Sequence, residues 1–201
     1  MTALLAVVMS GCALFRPPSD QIIYQLEREL LALKLDKKNL EEQLLDCDEA
    51  GAQRGLEVYR QLIQVFADSE VTVERRGSEV KVSVPSAVVF SADQISVRQE
   101  AAMVFDLLAV ALNLHTDTQV LVVGHTDDRR PPKGYPDNQT FSAAQATTFA
   151  TVLIERHAVA ASRLTAAGRG EADPIADNST PEGQNQNRRI SLYIGPDVGG
   201  W

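Results

Sequence analysis

The 201 residues include only two cysteines, too few for a disulfide framework, and aromatic side chains make up just 5% of the chain. The longest apolar run, Ala3 to Met9, has seven residues, well short of the roughly 20 that a membrane-spanning helix needs. Basic residues are outnumbered, 19 Lys and Arg against 27 Asp and Glu, and the net charge of -8 excludes a general electrostatic grip on nucleic acid. There is no Gly-x-Ser-x-Gly elbow and no His-Glu-x-x-His, and the three histidines, His115, His125 and His157, lack zinc-ligand spacing. The length allows one globular core plus an accessory segment, which excludes a large multidomain enzyme. Catalysis, a cofactor and a metal site are therefore not expected.

The charge that is present is unevenly placed. Between Asp20 and Glu49 there are nine acids and four bases, so most of the net charge sits on one segment. Upstream of it, the apolar run leads directly into Ser10-Gly11-Cys12. An apolar stretch of that length reads as the core of a signal peptide, although no Lys or Arg precedes it. Small residues before a cysteine resemble the bacterial lipobox, which implies cleavage after residue 11 and lipidation of Cys12. Residue 13 is Ala and not Asp, which by the same resemblance implies sorting to the outer membrane. Several acyl chains make a durable anchor where a single one binds only marginally.

After an Arg16-Pro17-Pro18-Ser19 linker, apolar residues recur at Ile23, Leu26, Leu30, Leu33, Leu40 and Leu44. The 3-4 spacing is a heptad repeat, with Lys37 on a skipped a position and Cys47 on the next d position. It predicts a helical stalk over residues 20–66, about 46 Å long to Ala50 and about 70 Å to Phe66. Gly51 and Gly55 are expected to break it into two pieces, with Leu56 to Phe66 belonging partly to the domain that follows. Two readings stand open: a self-associating coiled coil, or one amphipathic helix folded back on the domain. In a parallel homodimer two Cys47 thiols face each other and a disulfide becomes possible; otherwise Cys47 is a small hydrophobe.

From Val71 the period changes to two. Residues 71–75 and 80–84 alternate across a turn containing Gly77, a β-hairpin pattern. A short apolar stretch at Val88 to Phe90 follows, then a helix over Ser96 to Asn113 and a strand over Gln119 to Val123. A loop from His125 to Thr140 precedes a helix over Ser142 to His157, and strands follow near Leu164 to Ala167 and Ile190 to Ile194. Alternating strands and helices indicate a two-layer α/β domain.

Several ordered motifs then carry a specific resemblance. Gly124-His125-Thr126-Asp127-Asp128, Asn138-Gln139-Thr140-Phe141-Ser142, Arg163-Leu164, Gly168-Arg169-Gly170-Glu171, Pro174-Ile175-Ala176-Asp177-Asn178, Thr180-Pro181-Glu182-Gly183 and Asn187-Arg188-Arg189-Ile190 follow one another. Together they resemble the OmpA-like carboxy-terminal domain, the family of Pal-type lipoproteins and MotB-type stator proteins. The resemblance covers Val80 to Gly195, within an expected domain at 70–196 followed by a tail at 197–201. It implies a mixed sheet with helices packed on one face, and noncovalent binding of peptidoglycan through the diaminopimelate of the stem peptide. That ligand end is a zwitterion, needing a carboxylate for its ammonium and a guanidinium fork or backbone donors for its carboxylate. By resemblance Asp127 takes the ammonium, Asn138 hydrogen-bonds the ligand and Arg188 lines the site.

One position departs from the pattern: the family arginine that pairs with the ligand carboxylate is Gln145 here. Gln donates a hydrogen bond but carries no charge and forms no fork. Arg129 and Arg130 in the long loop are the candidate substitute cations. Ser142-x-x-Gln145 also fits a helix capping box. The sequence thus implies an outer-membrane, lipid-anchored protein that tethers the envelope to the cell wall. The alternative is an accessory subunit of an envelope or motility machine whose peptidoglycan pocket is weakened or lost at Gln145.

Overall fold

The computed structural model describes residues 19–196 and 198; the expected signal peptide, Cys12 and most of the carboxy-terminal tail lie outside the described residues. The chain divides into two compact units, Met1–Asp46 and Cys47–Trp201. No helix among the described residues is long and apolar enough to cross a membrane.

Helix α1 runs without interruption over Ser19–Val65, so the expected break at the glycines does not occur. The reason is packing. A Cβ on Gly55 would stand 2.6 Å from the backbone oxygen of Ser78, so Gly55 is where the helix passes closest to the β-hairpin. Within the second unit, Val58 and Leu62 of α1 and Phe66 just beyond it are buried in the main core, as expected for Leu56 to Phe66. Arg54 adds an ion pair to Asp117 at 2.6 Å. In the first unit the heptad residues Ile23, Leu26, Leu30, Leu33, Leu40 and Leu44 are all exposed.

The hairpin forms as expected, β1 at Thr72–Arg76 and β2 at Glu79–Pro85, with Gly77 at a φ of 58° in the turn. The residues around Val88 instead make a single helical turn, α2 at Ser86–Val89. The next helix starts later than its sequence pattern suggests. A short 3-10 turn at Gln99–Ala101 leads into α3 at Ala102–Leu114. The chain continues through β3 (Gln119–His125), α4 (Asn138–His157), β4 (Leu164–Gly170), α5 (Pro181–Asn187) and β5 (Arg189–Gly195). The five strands form one mixed sheet in the order β1-β2-β5-β3-β4, parallel only between β3 and β4.

Strand alternation divides the sheet's two faces. Val80, Val82, Val84, Val120, Val122, Ile190, Leu192 and Ile194 point into the main core with Phe105, Leu108 and Leu112 of α3 and Phe149 and Leu153 of α4. Leu121, Val123 and Tyr193 fall on the opposite face in a small separate cluster. The expected two-layer α/β architecture, helices on one face, is therefore present.

Helix α4 begins four residues before the sequence pattern suggests, and Ser142 is not its cap. Asp137 is the N-cap, its carboxylate accepting from the backbone N–H of Thr140 at 2.7 Å. Ser142 lies inside the helix, where its Oγ accepts from the backbone N–H of Gly170 at 2.9 Å and so ties α4 to the end of β4. Arg163 is buried and donates to the backbone oxygens of Leu112, His115 and Thr118, closing the loop between α3 and β3.

Candidate functional site

The site forms at the carboxy-terminal end of β3. Gly124 passes against the backbone of Ser142 in α4 with no room for a side chain, which brings the β3 end and the first turns of α4 together. The chain then leaves the sheet through Thr126, whose N–H bonds the Gly170 oxygen at 2.9 Å, and presents Asp127. A cavity of about 270 Å³ opens there. It collects all four residues singled out from the sequence, Asp127, Asn138, Gln145 and Arg188, and both loop cations, Arg129 and Arg130.

The Asp127 side chain is 7% exposed and fully engaged. Its Oδ1 accepts the backbone N–H of Arg129 at 3.1 Å, and its Oδ2 accepts Nε of Arg129 at 2.8 Å. Nη1 of Arg188 donates to the same Oδ2, and Nη2 of Arg188 donates to Asn185. Burial raises the Asp127 pKa, but the hydrogen bonds from Arg129 and Arg188 outweigh it and hold the carboxyl below its ordinary value. With Arg129, Arg130 and Arg188 lining the cavity against Asp127, its charge is positive even though Gln145 brings none.

Asn138 fastens the loop to the site. Its amide donates to the backbone oxygen of Arg129 at 2.9 Å and to the Glu171 carboxylate at 2.6 Å. Gln145 is 2% exposed and donates through Nε2 to the backbone oxygen of Gln94 at 2.7 Å. Gln94 is a wall residue that the sequence gives no reason to choose. It contributes a carbonyl from a left-handed backbone, φ 61°, so no side-chain pattern announces it. Pro131, Pro132 and Phe141 complete the wall, Phe141 making an edge contact with Tyr135 at 5.0 Å.

The paired arginines separate by strand alternation. Arg188 faces the cavity, whereas Arg189 is 2% exposed on the other side of the sheet and donates to the Asp173 backbone oxygen at 3.0 Å. Asn187, just before them, accepts from the N–H groups of Ile175 and Ala176 at 2.7 and 3.0 Å and donates to the Ala176 oxygen at 2.8 Å. The Pro174 to Asn178 segment and the Asn-Arg-Arg run are thus one interlocked unit. His125 is 1% exposed, and burial, then the Arg189 cation, push its pKa down to about 3 despite the opposing Asp173 charge. It is a neutral imidazole near neutral pH. No group of three or more metal-ligating side chains occurs among the described residues.

Residues 89–188 match the OmpA family. The chain is 34% identical to Probable lipoprotein YiaD of Escherichia coli (strain K12) over 126 residues, 63% of this chain and 56% of that protein. It is 31% identical to the structure of the cell wall anchor of the T6SS from Pseudomonas aeruginosa, with a TM-score of 0.63 over 69% of this chain and 99% of that one. A MotB-like protein from Desulfovibrio vulgaris shares the fold at 21% identity and a TM-score of 0.69, over 77% of this chain and 98% of its own. The chain spans about half the length of the curated relatives it matches.

Proposed function

The chain belongs to the OmpA family, and on that premise we propose that it binds peptidoglycan noncovalently, as a lipid-anchored protein of the outer membrane facing the cell wall. The observation that carries this reading is the convergence of Asp127, Asn138, Arg129 and Arg188 on one cavity of about 270 Å³. Two guanidiniums neutralise Asp127 in the empty site. A diaminopimelate ammonium displaces Arg129 from the carboxylate, and the freed guanidinium pairs with the ligand carboxylate that Gln145 cannot serve. One cation exchanges for another on Asp127, so no buried charge is left without a partner. The role is binding and not catalysis.

The anchor is Cys12, and the exposed heptad stripe of α1 pairs with a second copy of the same helix, with Cys47, a free exposed thiol, on the seam. A second reading is favoured by one observation: Gln145 spends its amide on the Gln94 carbonyl. In that reading the chain is an accessory subunit of an envelope or motility machine; the likeness to the cell wall anchor of the T6SS supports the machine, and Gln145 alone the weakened or lost pocket.

Sedimentation with purified sacculi decides between them. The wild-type chain should co-sediment and Asp127→Ala should not. Gln145→Arg adds one charge-assisted contact and should tighten binding by about ten- to a hundred-fold, the equivalent of about 1.5 to 3 kcal/mol. Wild-type protein that stays in the supernatant, or an Asp127→Ala variant that sediments unchanged, sinks the pocket as drawn.

A further inference from the structure

A second cavity, of about 490 Å³, lies on the face of the sheet turned away from α3 and α4. Leu121, Val123, Ala167, Ile175 and Tyr193 give it an aliphatic and aromatic lining. It shares only His125 with the Asp127 cavity, so it is a separate place on the molecule. Its volume falls in the range of small-molecule sites, roughly 300 to 1,000 Å³.

Four buried polar atoms on this face have no hydrogen-bond partner: Nδ1 and Nε2 of His125, Nε of Arg189 and Oγ of Ser191. The strand register places His125 opposite Arg189 and Val123 opposite Ser191, so the three side chains are neighbours. They are 1%, 2% and 0% exposed. Buried polar groups of this kind are normally paired, and each one left over calls for an explanation. A neutral imidazole supplies one N–H, Arg189 supplies Nε–H and Ser191 its hydroxyl, three donors in a row, of which His125 lines the cavity. The one carboxylate beside them is already committed. Asp173 takes Nη2 of Arg189 at 3.4 Å and lies 3.9 Å from His125 Nδ1, beyond hydrogen-bond length.

The charge around the cavity has the complementary sign. Arg76, Lys81 and Arg169 line it and Arg189 lies behind, four cations against Glu79 and Asp173. Lys81 stands over the Tyr193 ring, 5.9 Å from its centroid, which holds a cation above the apolar floor. A donor at His125, an apolar floor and a cationic rim are the features of a site for an anion on an apolar body.

We propose that this face of the sheet is a second ligand site that takes an aliphatic carboxylate, its head beside His125 with the Lys81 and Arg169 cations and its chain over Leu121, Val123 and Tyr193. This site is independent of the peptidoglycan reading.

Octanoate and octanol are the probes, titrated into the full chain with amide shifts followed by NMR and heats by calorimetry. Octanoate should move the amides of Leu121, Val123 and Tyr193, and octanol should bind at least about ten-fold more weakly. The double substitution Lys81→Gln, Arg169→Gln removes two exposed or half-buried cations without touching the buried row, so the fold is kept. It should weaken octanoate by about ten-fold, leave octanol unchanged and leave sacculus sedimentation unchanged. No shift at about 5 mM octanoate means the cavity holds water only and overturns the site. Equal binding of octanol, or shifts that map to Asp127 and Arg188 instead, overturns it as well.

Discussion

His125 makes the fold sensitive to acid. Its folded pKa, about 3, lies below the ordinary 6.5 because burial and the Arg189 cation disfavour the imidazolium. The unfolded chain therefore takes up this proton first as pH falls. The contribution to stability is complete above about 6.5 and is lost progressively as pH drops toward 3, at a limiting slope on the order of 1 kcal/mol per pH unit. Urea unfolding at pH 7.5 and pH 5 should differ by about 2 kcal/mol in the wild type, and His125→Gln should remove most of that difference. An equal difference in both proteins means that other groups set the slope. Asp127 acts in a lower window: its depressed pKa adds stability above its ordinary value of 3.8 that is lost on further acidification. At this scale the sequence is legible where the cavity is lined by side chains at motif positions, as with Asp127, Asn138 and Arg188. It is silent at Gln94, which serves through its backbone oxygen.

Helix α1 shows how an element can contradict its local signals. Glycine is a poor helix former, and two of them four residues apart read as a break. In the fold Gly51 and Gly55 have different duties. A Cβ at Gly51 meets the Ser78 side chain at an ordinary 3.4 Å, whereas one at Gly55 meets the Ser78 backbone at 2.6 Å. Gly51→Ala should be neutral or stabilising by up to about 1 kcal/mol, following helix propensity. Gly55→Ala should destabilise by about 1 to 3 kcal/mol, because a backbone carbonyl cannot swing aside. Paired denaturant melts of the two variants check the contrast, and a stabilised Gly55→Ala would show that the helix and hairpin can part. The start of α4 is obscured for a related reason. The loop before it, Arg129 to Asp137, is rich in proline and charge, and only the tertiary position of the loop selects Asp137 over Ser142 as the cap. Helix α5 does carry a readable start, Thr180 accepting from Gly183 with Pro181 following it, but glycine and asparagine within it mask the helix.

For the whole molecule, seven of the nine acids of residues 20–49 and the exposed leucine stripe fall on the first compact unit. A free monomer would leave Leu26, Leu30, Leu33, Leu40 and Leu44 more than half exposed, which water opposes. Sedimentation velocity at about 50 μM should find the chain from Cys12 onward as a dimer or higher oligomer, and Leu30→Glu with Leu33→Glu as a monomer. A wild-type monomer at that concentration rules out pairing through the stripe. The main core draws its helical residues from position 58 onward, so a chain beginning at Cys47 should melt within about 2 °C of the full protein.

The strand order has a kinetic consequence as well. β2 and β3 make no ladder with each other; each pairs with β5, which is the last of the five described strands yet lies at the centre of the sheet. Until residue 195 is available, the β1–β2 hairpin and the β3–β4 pair are two unconnected fragments with open edges. A chain that emerges amino terminus first therefore leaves this domain unlatched until β5 slots between the two halves. Long-range closure of this kind is slow, because the loop entropy is spent before any contact repays it. The topology thus makes closure of the domain wait on its fifth strand.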